Sequence, residues 1–247
     1  MATFITDITF ERARFEKINR FYGSVGLTPQ LSLLRIEEDL INGQGNYVFD
    51  LKKENLSPVE RNLKRNDLFV TLAIGVATRI ENVDKPNISV PMFAPHKAIV
   101  DSTSGDDIVV VPGFKTDDIN ALYGGKLYIS TGTTVNFADL PTALFLKNKG
   151  VDDMNLKINH FDFQDDLKPM AEEIIFSGTQ DHKVEVSFPT FAQSDYTAQQ
   201  DVDNSGQDPV EGTNYKSKIV FFALGYRVVG GTLPSYRVEA NPYKDCI

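Results

Sequence analysis

Residues 66–80 read NDLFVTLAIGVATRI, and residues 218–229 read KIVFFALGYRVV. In the first stretch Leu68, Val70, Leu72, Ile74 and Val76 alternate with Thr71, Ala73, Gly75, Ala77 and Arg79. Successive side chains of a strand point to opposite faces, so this spacing predicts a long central strand with one aliphatic face and one small or polar face. Gly75 marks a bend or a close backbone approach within it. Superposing Gly75 on Gly225 brings Val70 onto Val220, Leu72 onto Phe222 and Ile74 onto Leu224. A second central strand of the same design is therefore expected.

A further pair of stretches supports the match. Ile36-Glu37-Glu38-Asp39-Leu40-Ile41-Asn42-Gly43 aligns without gaps on Ala171-Glu172-Glu173-Ile174-Ile175-Phe176-Ser177-Gly178. Each glycine is followed by a polar turn and then an alternating strand, Tyr47, Phe49 and Leu51 in one copy and Val184, Val186 and Phe188 in the other. The order strand, turn, strand, linker, long strand thus occurs twice, and an internal repeat bears directly on fold. It predicts two related β-modules, over residues 28–150 and 151–247, with residues 147–153 as the linker.

Before them, residues 1–27 read as a helical arm, with Ile8, Phe15, Ile18 and Phe21 or Tyr22 at helical spacing and Gly23 as its stop. Arg12, Arg14, Lys17 and Arg20 lie between these apolar positions. Such a helix either packs on its own domain or a neighbouring subunit, or rests a basic face on an anionic surface. Residues 31–52 are expected to form a hairpin. Ser57-Pro58-Val59-Glu60 has the form of a capping box and predicts a short helix reaching about Arg65. Short strands are expected over 97–100, 107–111, 126–130, 142–146 and 156–163, and a short helix from Thr116. Residues 194–217, rich in Asp, Gln, Asn and Gly, read as a long exposed loop. Apolar strands between turn signals with few helices indicate an all-β sandwich or barrel.

The 247 residues carry a net charge of −9, which argues against a nucleic-acid grip as the main task, since such binding needs clustered Lys and Arg. The single Cys246 cannot form an internal disulfide, so stability does not depend on an oxidising compartment. The opening residues lack the apolar core of a signal peptide, which leads us to expect synthesis in a cytosol. His96, His160 and His182 show no metal-ligand spacing, and no phosphate loop, nucleophile elbow or zinc-protease motif occurs. Adjacent acid pairs such as Asp152-Asp153 and Glu172-Glu173 would point to opposite faces of a strand, unlike a glycosidase pair. Asp201, Asp203 and Ser205 open like a calcium loop, but Gly212 stands where a bidentate Glu is required. Neither catalysis nor a cofactor is expected.

The run LLRIEEDLINGQGNYVFDLK (33–52), RNDLFVTLAIGVATRI (65–80) and INALYGGKLYI (119–129) resembles the major capsid proteins of tailless, membrane-containing icosahedral bacteriophages. That resemblance implies two jelly rolls side by side. It implies homotrimeric, pseudo-hexagonal capsomers tiling a virion shell over an internal membrane, with minor capsid or vertex proteins as further partners. The arm would then face the interior, where Arg12, Arg14, Lys17 and Arg20 could meet lipid headgroups. Two alternatives stand beside it: a single elaborated jelly roll as the fold, and a jelly-roll binding module, for carbohydrate, adhesion or a fibre, as the function.

Overall fold

The computed structural model describes residues 2–24, 26–41, 44–82, 99–101, 109–111, 123–146, 167–188 and 215–230. Helix α1 (Ala2–Gly23) is followed by strands β1 (Pro29–Asp39), β2 (Asn46–Phe49) and β3 (Asp67–Asn82). Strands β4 (Ile99–Asp101), β5 (Val109–Val111), β6 (Lys126–Thr131) and β7 (Thr134–Pro141) come next, then a 3₁₀ turn over Thr142–Phe145. Strands β8 (Lys168–Ser177), β9 (His182–Ser187) and β10 (Tyr215–Val229) complete the described elements. The protein is mainly β, built on two four-stranded antiparallel sheets of order β1-β10-β3-β8 and β2-β9-β6-β7. Strands β4 and β5 pair with each other as a separate ribbon.

The two sheets face one another across a single core. Leu34, Ile36, Ile74, Val76, Ile219 and Phe221 from the first sheet meet Tyr47, Phe49, Leu127, Ile129, Val184 and Val186 from the second. The rings of Phe49 and Phe221 lie 5.7 Å apart, in the range of a favourable aromatic pair.

The strands do not divide at residue 150. β10 sits between β1 and β3, and β9 sits between β2 and β6. The described strands of 28–150 and of 151–247, expected as two side-by-side rolls, interleave in one sandwich instead. The repeat itself is present: β1, β2, β3 and β8, β9, β10 both run first sheet, second sheet, first sheet. The two copies interlock, with their long members β3 and β10 as the central pair. The expected hairpin over 31–52 is for the same reason a crossover, since β1 and β2 lie in different sheets.

β3 is not uniformly faced. Its pairing with β10 runs without a break to Ala73 opposite Leu224, then Gly225 falls opposite Thr71 and leaves Leu72 unopposed. Pairing with β8 breaks at the same place, between Thr71 and Ala73. One extra residue in a strand reverses the phase of the side chains beyond it. Phe69, Ile74 and Val76 therefore face the inter-sheet core. Leu68, Val70 and Leu72 pack under α1, and Ala73 and Ala77 join Val220 and Phe222 on the same outer side. The single aliphatic face expected over 68–76 is thus split by a bulge at Leu72, and Gly75 lies beyond it, opposite Phe222.

A close backbone approach is made at Gly225. A Cβ there would stand 2.0 Å from the Val70 carbonyl oxygen and 2.9 Å from Thr71 Cα. Gly225→Ala should therefore destabilise by about 1–3 kcal/mol or more, through overpacking against backbone that cannot swing away. Urea unfolding of the variant checks this; an unchanged midpoint would show that the bulge absorbs a methyl group.

Other local expectations change for identifiable reasons. Ser57–Glu60 does close on itself, since the Ser57 N–H donates to Glu60 Oε2 at 2.7 Å. No helix follows, because the Arg61 backbone exchanges hydrogen bonds with Arg35 of β1 instead. Residues 142–145 form a 3₁₀ turn rather than a strand, and the preceding polar stretch Thr134–Pro141 is a strand. α1 ends at Gly23, but the left-handed residue is Gly26, with φ of 77°. β10 begins at Tyr215, inside the expected loop over 194–217. Residues 147–153, 156–163, 194–214 and Thr116 lie outside the described residues.

Candidate functional site

The outer side of the first sheet carries two kinds of cover. At one end α1 lays Ile18 and Tyr22, with Phe15 and Phe21, on Leu68, Val70, Leu72, Tyr226 and Val228. At the other end the same face turns charged. Register places Asp39 of β1 opposite Lys218 of β10, and Lys218 opposite Arg79 of β3. Alternation then puts Arg35, Glu37, Asp39, Arg79, Glu81 and Lys218 on one side.

These groups form a chain of ion pairs. Arg79, fully buried, donates to Glu37 Oε2 and, at 3.3 Å, to Glu81 Oε1. Lys218 Nζ lies 3.0 Å from Glu81 Oε2 and 3.2 Å from Asp39 Oδ1. Arg35 approaches Glu37 Oε1 from Nε at 2.8 Å and from Nη2 at 2.6 Å. Burial works to lower Lys218, but its bonds to Glu81 and the nearby Asp39 outweigh this and hold its pKa above the ordinary value. Burial lowers Arg35, only partly offset by Glu37.

Residues 53–61 fasten this chain to the edge of β1. The Glu37 N–H donates to Glu60 Oε1 at 2.9 Å, and Lys53 Nζ donates to the Glu37 carbonyl at 3.0 Å and lies 3.0 Å from Glu60 Oε1. Burial would raise Glu60, but the N–H groups of Ser57 and Glu37 and the Lys53 ammonium outweigh it, and its pKa is lowered. Burial raises Glu38, against the pull of Lys53. A cleft of about 400 Å³ opens beside this fastening, lined by Glu38, Asp39, Lys53 and Lys218 together with Ile41 and Val48. Each cation of the network is already held by a carboxylate, so its chemistry is that of a clamp.

The basic residues of the arm do not share one free face. Arg14 turns inward and donates to the Met170 carbonyl of β8 at 2.6 Å. Arg12 is exposed and pairs with Glu16 at 3.1 Å, Lys17 is half-buried and Arg20 is exposed. The described part of the helix therefore packs on its own sheet. No helix among the described residues is long and apolar enough to cross a membrane. Of the central-strand residues, Leu68, Val70, Leu72 and Ile74 of β3 and Val220 and Phe222 of β10 are all buried, while Leu224 is partly buried. Asp201, Asp203, Ser205, His96 and His160 lie outside the described residues. Among the described residues no group of three or more His, Cys, Asp or Glu is placed to hold a metal ion.

No family model, curated protein or solved structure matches the chain.

The clamp was hidden from sequence reading by the direction of the comparison. Superposing 66–80 and 218–229 in parallel sets Arg79 against Val229; running them antiparallel, as in the sheet, sets Arg79 opposite Lys218. Two charges at matching ends of two apolar strands are the signal that points to it.

Of the three histidines, His182 lies within the described residues. It opens β9 beside Phe176, with Nε2 2.8 Å from the Ser177 nitrogen and 2.6 Å from its carbonyl oxygen. Burial lowers its pKa; the Ser177 carbonyl and Asp181 oppose this, and Lys52 adds to it. A depressed folded-state pKa means that the contributed stability is complete above about 6.5 and is lost as pH falls through the lower folded value. Thermal melts between pH 8 and 5 should show a falling midpoint, and His182→Gln should flatten that fall. An unaltered slope in the variant would assign the acid sensitivity elsewhere.

Proposed function

We propose that this protein is a structural shell subunit that self-associates into trimeric capsomers of a virion. The supporting observation is the strand order: two facing sheets, β1-β10-β3-β8 and β2-β9-β6-β7, between which the chain repeatedly crosses. This order supports a jelly roll, the eight-stranded double-sheet architecture found in viral capsid and lectin domains and in cupins. Architecture does not set activity, so the capsid reading also rests on the resemblance of residues 33–52, 65–80 and 119–129. The described strands supply one roll, which favours the single elaborated form. Three such subunits give a three-lobed ring rather than the pseudo-hexagon expected from two rolls per chain.

In this reading the arm serves the subunit first, by covering the outer side of the first sheet. Contact with an internal membrane falls to the exposed Arg12 and Arg20 and to whatever joins them at the inner surface. Minor capsid and vertex proteins remain the expected further partners, and the virion the expected location.

Light scattering after size exclusion, followed by electron microscopy of concentrated protein, tests the proposal. A stable trimer that closes into particles supports it. A monomer at all concentrations overturns it. The cleft beside Glu38 and Lys218 favours the second reading, a binding module, and saturable glycan binding by that monomer would establish it.

A further inference from the structure

The edge of β1 is treated differently along its two halves. Strand alternation sends the N–H and C=O of residues 31, 33, 35, 37 and 39 away from β10, because the Arg35 backbone bonds outward to Arg61. In the second half these groups are taken: Arg35 by Arg61, the Glu37 N–H by Glu60 and the Glu37 carbonyl by Lys53. In the first half, among the described residues, Leu31 and Leu33 have no outward backbone partner. Leu31 is 66% exposed, the highest value of any large apolar residue described.

Open edges are normally blunted by charge, proline or cover. Residues 29–34, PQLSLL, carry no charge, whereas Arg35, Glu37, Glu38 and Asp39 follow directly. Pro29 lacks an N–H and limits any pairing to the residues after it.

The geometry points to this half-edge as a β-pairing site for the same half-edge of a second copy. A two-fold axis at Ser32 sets Leu31 opposite the partner copy's Leu33 in antiparallel register, and the reverse. Each such pair exchanges both backbone bonds, giving about four in all. The two leucines of each copy then abut on one side of the joined sheet, and no like charges oppose. For chains of net charge −9, an uncharged self-complementary strip is where two copies can approach closely. The contact is isologous, so it joins rather than closes a three-fold ring. Its place between neighbouring capsomers rests on the shell reading proposed above.

The test compares the full chain with Leu31→Lys, Leu31→Pro and a control, Val135→Lys, which adds the same charge at a half-exposed valine of the other sheet. Sedimentation velocity reads association, and hydrogen exchange reads the Leu31 and Leu33 amides. Both Leu31 variants should fold, since the side chain is exposed and its N–H points away from β10. Both should weaken the two-fold association about ten-fold or more, with the control unchanged. In the full chain the two amides should gain protection on association. Assembly that persists in both variants overturns the edge pairing while leaving the shell reading intact. A chain that remains monomeric overturns both. Protection of the two amides already in the monomer would mean that the chain's own residues hold the edge, and would also overturn the pairing.

Discussion

Arg79→Met is expected to lower folding stability by about 3 kcal/mol, because it removes one of the two counter-charges of a fully buried carboxylate and leaves one of its oxygens unpaired. The Glu37 side chain is fully buried and is held by Arg79 on one oxygen and Arg35 on the other. Glu81, nearly buried, also loses a partner and keeps Lys218. Water cannot readily replace the lost guanidinium at this depth, so Glu37 Oε2 stays buried and unpaired while Arg35 still holds Oε1, and the penalty exceeds the loss of one exposed bond. The double variant Arg79→Met, Glu37→Gln should therefore be more stable than the sum of the two single losses predicts, with a coupling of about 1–3 kcal/mol. Urea unfolding of the four proteins measures it, at constant slope against denaturant. Strict additivity would show that the two side chains do not act as a pair.

The second large effect lies at the centre of the sandwich. Phe221→Ala should cost about 3–5 kcal/mol, the transfer of a buried ring together with the cavity left behind. Phe221 is fully buried on β10 and packs on Phe49 of β2, which joins a strand near the end of the described chain to one near its beginning. If residues 28–150 and 151–247 formed separate cores, the variant would unfold one and spare the other, giving two transitions. A shared core predicts one cooperative transition at lower denaturant, seen together by fluorescence and circular dichroism. Two separated transitions would refute the shared core.

Much of this architecture could be read from residue order. The alternation over 66–80 and 218–229 identified the two central strands, and the match of 36–43 with 171–178 identified a repeated strand, turn, strand unit, though not that it crosses between the sheets. Partnership was not legible, because the same apolar alternation serves a hairpin, a crossover or two separate barrels. Only the pairing of β10 with both β1 and β3 distinguishes them. The bulge at Leu72 was equally hidden, since a phase reversal shows as an apolar pair, Leu72-Ala73, that looks like ordinary strand. The clamp could be read only in part. Glu37-Glu38-Asp39 looks like a polar strand end, yet Glu37 is buried and Asp39 exposed, a difference set by Arg79, which lies 42 positions from Glu37.

The interlocked strand order also governs when the molecule can form. β1 and β3 are never direct neighbours; each joins the sheet by pairing with β10, which spans Tyr215–Val229. A ribosome that has released only the first 150 residues therefore holds two long strands whose central partner is not yet made. Such distant pairings are slow to close and leave strand edges uncovered meanwhile. Synthesis of this protein should accordingly lean on chaperones until β10 emerges.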